Sequence, residues 1–255
     1  MESVNLVHHA LANERVELFA QRIVSLQSDR REMYFEILVR IKNAQGQYIS
    51  PGIFMPASER YNIAHLVDKR VVCQTLDWLE ENEAHLTKLG RCSINLSGHS
   101  IGNPAFFDFL LSKLDSSRVP CNKICFEITE TAAIQNLSQA IEKFEKLRSL
   151  GCLIALDDFG SGLSSFGYLK KLPVDIVKID GLFVKDMKDN PVDKAMVKAI
   201  NDLAKQMGKV TVAEFVENHQ IIDHLIDMNV DYAQGYAIGK PKPLAELVEE
   251  LVNEL

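Results

Sequence analysis

The chain of 255 residues has no excess of positive charge: 35 acids against 28 bases leave a formal charge of −7. Non-specific binding of DNA or RNA needs a basic face that releases counterions, so bulk nucleic acid is excluded as a partner. A small anionic nucleotide is not excluded, because a bound metal ion can invert the electrostatics of its own site. The chain also has no apolar run long enough to span a bilayer, and residues 1–6 have neither the basic segment nor the apolar core of a secretory signal. These absences predict a cytoplasmic domain and leave open a membrane-anchored parent protein. No Pro/Gly/Ser-rich linker, low-complexity tract or charge block divides the sequence, which predicts one domain over 1–255 with a core from about 16 to 245. Five cysteines, an odd number, give no disulfide framework. Cys92, Cys125 and Cys152 fall in apolar runs as core residues, and Cys121 and Cys125 lack the spacing of a zinc site. No pair of histidines has the H-E-x-x-H spacing of a zinc enzyme.

What the chain does contain is a series of strand-like runs separated by helical periodicity. Two runs, Val16–Leu26 and Met33–Arg40, flank a short polar link and predict an antiparallel hairpin. A loop with Pro51, Gly52 and Pro56 follows, then a long amphipathic helix from Ile63 to Leu89. Strands are then expected at Arg91–Leu96, Lys123–Ile128, Cys152–Leu156, Val174–Ile179, Val210–Phe215 and near Tyr232. The helices between them are expected around Ala105–Leu114, Leu137–Leu150, Ser164–Lys170, Val192–Met207 and Gln220–Met228, with a last one at Leu244–Leu251. Eight strands with their helices in this length predict an α/β fold, a TIM-type (β/α)8 barrel whose first strand is antiparallel.

The strands share one habit: each ends on a polar residue. The run from Ala155 to Gly162 ends on Asp157 and Asp158 before a glycine-rich loop, and other runs end on Glu36, Asn95, Glu127, Asp180, Glu214 and Gln234. A turn alone would explain one adjacent acid pair, but it does not explain the series. In a parallel barrel the strand ends converge on one mouth, where packed carboxylates repel one another unless cations neutralise them. All-oxygen donors suit a hard divalent ion, Mg2+ or Mn2+, better than zinc or copper. With Lys178 nearby, the set suits phosphoryl transfer.

These motifs resemble the EAL family of cyclic-di-GMP phosphodiesterases from about Phe19 to Pro243. The resemblance rests on the segments Glu36–Arg40, Phe54–Glu59, Asn95–Ser97, Phe126–Glu130, Asp157–Gly162, Lys178–Asp180, Ala213–Glu217 and Gln234–Tyr236. It implies hydrolysis of cyclic di-GMP to linear pGpG, with two Mg2+ or Mn2+ ions, in the bacterial signalling that governs biofilm and motility. It also implies that Glu36, Asn95, Glu127, Asp157, Asp158, Glu214 and Asp180 hold or support the metals, with Glu36 also in a catalytic role. Lys178 would polarise the attacking water, and Glu214 is a candidate base. Gln21, Leu38, Arg40, Glu217 and Gln234 would contact substrate. Glu130 with Gly160 and Gly162 would anchor the loop after Asp158, through which the family dimerises, so a homodimer is expected. Family members often carry further domains upstream, so the chain is also read as a possible excision from a larger signalling protein.

Three positions depart from the family pattern: Ile37 replaces its usual Ala, Arg22 its Pro, and Phe215 its Gly. None removes a metal-type residue. The alternative reading is an EAL barrel that binds cyclic di-GMP as a receptor without cleaving it. A Schiff-base aldolase using Lys178 is disfavoured, because surrounding carboxylates raise an amine's pKa instead of lowering it.

Overall fold

The computed structural model describes residues 2–27, 32–135, 137–161 and 167–254. Ten strands form its single sheet: β1 (Val16–Ser25), β2 (Met33–Lys42), β3 (Tyr48–Ile49), β4 (Leu89–Asn95), β5 (Ile124–Thr129), β6 (Leu153–Phe159), β7 (Ile176–Ile179), β8 (Val210–Ala213), β9 (Tyr232–Gln234) and β10 (Lys242–Pro243). Pairing runs β1-β9-β8-β7-β6-β5-β4-β2, and β1 also pairs with β2, so eight strands close on themselves. β1 is antiparallel to both neighbours, in register Ile23↔Tyr34 and Ile23↔Gln234, while the others run parallel. The expected barrel with an antiparallel first strand is therefore present.

Side chains alternate along each strand with a period of two, and this layers the interior. One buried cluster takes Ile23, Tyr34, Cys125, Ala155, Ile176, Val212 and Tyr232 from seven of the eight barrel strands. β4 completes the ring with Arg91, whose Cζ lies 5.6 Å from the centroid of Tyr34 and 5.1 Å from that of Tyr232. Two residues further toward the mouth on each strand stand Gln21, Glu36, Ser93, Glu127, Asp157, Lys178, Glu214 and Gln234. The floor is thus apolar and aromatic, and the layer above it is polar.

The larger hydrophobic cluster lies between barrel and helices. Helix Ala64–Glu81 buries Val67, Val71, Val72, Leu76 and Leu79 at the spacing that puts one stripe on the core. It ends eight residues before the expected Leu89, after which Glu83–His85 form a 3-10 turn. Helices Pro104–Ser116 and Pro191–Gln206 start on Asn103 and Asn190, whose side chains accept from Phe106 N–H and Val192 N–H.

Other expectations need correction. Residues 51–60, read as a loop from Pro51-Gly52, form a helix: Pro51 occupies its first turn, where a missing N–H costs nothing. Helix Glu2–Ala12 was not expected. Of the helix expected over 164–170, residues 164–166 lie outside the described residues, and 167–170 form a turn in which Tyr168 C=O accepts from Lys171 and Leu172 N–H. The link between β1 and β2 at 28–31 also lies outside them. β8 stops at Ala213, because Phe215 takes a left-handed conformation at φ +52°.

Candidate active site

Lys178, 1% exposed, projects from β7 into the layer of acids. Its Nζ lies 3.2 Å from Glu36, 2.5 Å from Glu127, 3.0 Å from Asp157 and 2.9 Å from Glu214. Four carboxylates thus share one ammonium. Burial works against the charged amine, but these neighbours outweigh it and hold Lys178 well above the ordinary lysine range.

The acids divide by environment. Burial acts to raise Glu36, but Lys178, Gln234 and Asn95 outweigh it and keep its carboxyl below the usual value. The hydrogen bonds responsible are Gln234 Nε2 to Glu36 Oε2 (2.7 Å) and Asn95 Nδ2 to Oε1 (2.6 Å). Glu127 has no such amides: burial, with repulsion from Glu36 and Asp157, pushes it up to about 7 against the pull of Lys178. Burial and Asp157 push Glu214 well above a normal carboxyl, and burial with Asp157 and Asp180 raises Asp158 to about 6.

Two adjacent acids reach one mouth through a break in the strand. Between the pairs Leu156↔Val177 and Phe159↔Ile179, β6 uses one residue more than β7, which is the geometry of a β-bulge. Asp158 absorbs it at φ +53°. Both carboxylates consequently leave the same side: Asp157, Asp158 and Glu214 each place an oxygen within 4.8 Å of the others. Glu214 Oε2 is buried with no hydrogen-bond partner, and Asp157 Oδ1 meets Lys178 only outside hydrogen-bonding geometry. Buried oxygens short of donors, in an all-carboxylate set that carries more negative charge than Lys178 offsets, fit a hard divalent cation.

The bulge is held from behind. Glu130, just past β5, accepts from Gly160 N–H at 2.8 Å and from the Tyr168 hydroxyl. One carboxylate therefore ties down both ends of the segment after Asp158. Gly160 takes φ +103°, open to glycine at little cost. Gly162 lies outside the described residues.

A cavity of about 560 Å³ opens over the acids. All five residues expected to contact substrate line it: Gln21, Leu38, Arg40, Glu217 and Gln234, beside Glu36, Asp157, Asp158 and Glu214. Gln21 donates to Gly239 C=O and accepts from Gln234. Some expected residues stand elsewhere. Glu127 is buried beside Lys178 without lining the cavity, Asn95 borders an adjoining 220 Å³ pocket, and Asp180 caps helix Gly181–Val184 through Leu182 N–H at 2.7 Å.

Tyr236 and Phe215, noted in the sequence only as a motif residue and a departure, line the cavity. Sequence reasoning missed Tyr168, which anchors the bulge from 38 residues beyond Glu130. Buried Asp68 was missed as well: it supports the turn after Asn95 by accepting from Ser97 N–H and Ser100 Oγ. Ile37 points away from Glu36 into the wall, 1% exposed.

Among known proteins, the EAL domain family model matches residues 5–241. The cyclic di-GMP phosphodiesterase PdeB of Shewanella oneidensis is 43% identical over 249 residues, which is 98% of this chain and 29% of that protein. The cyclic di-GMP phosphodiesterase PdeF of Escherichia coli K12 is 35% identical over 97% of this chain and 33% of its own length. The chain thus spans about a third of these relatives. The crystal structure of the FimX EAL domain from Pseudomonas aeruginosa bound to c-di-GMP superposes with a TM-score of 0.86 at 27% identity, covering 95% of this chain and 97% of that one. With the barrel, its antiparallel first strand and the acid-lined mouth in place, this chain belongs to the EAL domain family.

Proposed function

We propose that this domain hydrolyses one phosphodiester of cyclic di-GMP to give linear pGpG, with two Mg2+ or Mn2+ ions at its mouth. The observation that carries the reading is the group of Asp157, Asp158 and Glu214 oxygens within 4.8 Å of one another beneath a cavity lined by Arg40 and Glu217. The relatives named as cyclic di-GMP phosphodiesterases support the substrate.

Glu36, Asn95, Glu127, Asp157, Asp158 and Glu214 would hold the ions, with Asp180 supporting them through its field on Asp158. When bound, such ions neutralise phosphate charge and lower the pKa of a coordinated water. The chain's own groups do the rest. Lys178, held as an ammonium by its four acids, is a proton donor and cannot serve as the base; it orients the attacking water's oxygen. Glu214, in its ionised form, is the candidate to take the water's proton as the oxygen adds to phosphorus and the ester oxygen leaves. Arg40 would make a charge-assisted hydrogen bond to a phosphate or base edge, and Glu217 would accept from the N–H groups of a guanine. Gln234 fixes Glu36 from the floor.

The same reading proposes a homodimer through the segment after Asp158, supported by the grip of Glu130 on Gly160, and a cytoplasmic setting, where this second messenger acts. The test is incubation of the purified domain with cyclic di-GMP and either metal, followed by chromatography for pGpG. Turnover is expected. Binding of intact ligand without product in either metal would replace the enzyme with a receptor.

A further inference from the structure

Phe215 combines features that each cost free energy in a folded chain. Its backbone is left-handed at φ +52° although it has a side chain, and the residue is 59% exposed at the rim of the cavity. Glycine would meet the backbone requirement without strain and would expose no apolar ring. The conformation is imposed by the crossing that follows β8. Val216 N–H donates to Gln234 C=O at 3.0 Å, Ala237 N–H donates to Val216 C=O at 2.9 Å, and a Cβ on Gly235 would overlap the Val216 backbone. The ring is also placed by its neighbour: a Cβ on Gly181 would overlap Phe215 Cβ, Cγ and Cδ2, so this flank of the ring sits against bare backbone while the rest stays open. Tyr236, 63% exposed, lines the same cavity, and so does Glu217.

Strain at a cavity wall points to function when the surroundings fix it. An exposed flat ring at the mouth of a nucleotide-sized cavity suits stacking, which tolerates any base because every base has a π-face. We infer that Phe215 is a substrate-binding residue of this site: its ring is the wall on which one purine base of a cyclic dinucleotide stacks, while Glu217 in the same wall accepts from the base's edge. This rests on the reading given under Proposed function and adds to it the group that orients the base.

The test compares F215G, F215L and F215W with the wild type. Binding of cyclic di-GMP is measured by calorimetry with the divalent ion withheld, and KM and kcat are measured with it present. Loss of stacking is expected to weaken binding of F215G and F215L by about five- to a hundred-fold, raising KM while kcat changes little and the melting temperature does not fall. F215W keeps its affinity. In a W78F background, which removes the chain's other tryptophan, its fluorescence is quenched by the ligand. Wild-type affinity in F215L and F215G overturns the stacking wall alone. A wild type that neither binds nor cleaves the dinucleotide, with or without metal, overturns the proposed function and this inference together.

Discussion

Lys178 and Arg91 are both cations buried inside one barrel, and they are stabilised by opposite means. Lys178 stands at the mouth among four carboxylates, in backbone broken by a bulge and by two left-handed residues, Asp158 and Phe215. Arg91 stands at the floor between the rings of Tyr34 and Tyr232, just after a register shift between β2 and β4, and its Nε has no hydrogen-bond partner among the described residues. The mouth keeps charge in excess and tolerates strain, whereas the floor uses aromatic packing, and among the described residues its cation makes no ion pair. In parallel barrels conservation at the floor serves stability and the strand ends serve chemistry, and here the division is visible in the partners each cation has.

The sharpest way to break this contrast is Lys178→Met. Turnover of cyclic di-GMP should fall by about 10²–10⁴-fold, the range for a group that handles protons at a reacting centre. Without divalent ion the fold should lose about 3–5 kcal/mol, because four buried acids lose the cation they share; added Mg2+ should return part of it. Chemical denaturation with and without metal reads this. Stability that is indifferent to metal would show that the acids do not depend on positive charge.

Glu130→Gln removes the carboxylate that holds the bulge but leaves every candidate metal oxygen in place. The Mg2+ concentration needed for half-maximal activity should rise by about 10–100-fold, typical of partners that orient metal ligands, with recovery at high metal. Tyr168→Phe, which removes the hydroxyl that donates to Glu130, should show a smaller shift in the same direction. A fall in kcat that no metal concentration reverses would contradict this role.

Protons should compete with the ions. Glu127 at about 7 and Asp158 at about 6 bind protons as pH drops through that range, so apparent metal affinity should weaken from pH 8 toward 5.5, by at most about tenfold per unit for each proton displaced. The metal-free protein should show the reverse trend in stability. A carboxyl raised in the folded state holds its proton where the unfolded chain has lost it, so this contribution is full below the ordinary value of 4.5 and is lost as pH rises toward 7. Thermal melts across pH, with chelator and with Mg2+, should show the two opposite trends; stability of the metal-free protein that rises from pH 5.5 to 8 would contradict them.

Arg91→Met should be the mildest change for function. Losing two cation–π contacts costs about 0.5–2 kcal/mol each, partly offset by relief of the unpartnered Nε, while turnover stays at the wild-type level. If turnover drops while the protein remains folded, floor and mouth are coupled and the contrast fails.

How much of this was legible depended on whether the signal was local. The eight strands and their polar ends could be read because alternation and chain order need no partner: the step of two from Tyr34 to Glu36 or from Ile176 to Lys178 puts a core residue below and a chemical one above. The bulge at Asp158 left only an indirect trace, two acids in a row, since the extra residue is defined against β7. Helix 51–60 was hidden by Pro-Gly chemistry that reads as a turn until Pro51 is seen to open a helix. Tyr168 gave no sign, because its partner is set by the fold and not by spacing. Phe215 was noticed as a departure, but its open ring and strained φ belong to the crossing at Gly235.

The bulge has one more implication. Asp157 and Asp158 are joined by a single peptide plane within the bulge, so a backbone shift at one carries the other's backbone with it. If two ions occupy the mouth as proposed, seating the first would stiffen that plane and prepare the second seat. Activation by Mg2+ should then follow a sigmoidal curve instead of a hyperbola, with the cooperativity residing in one amide bond.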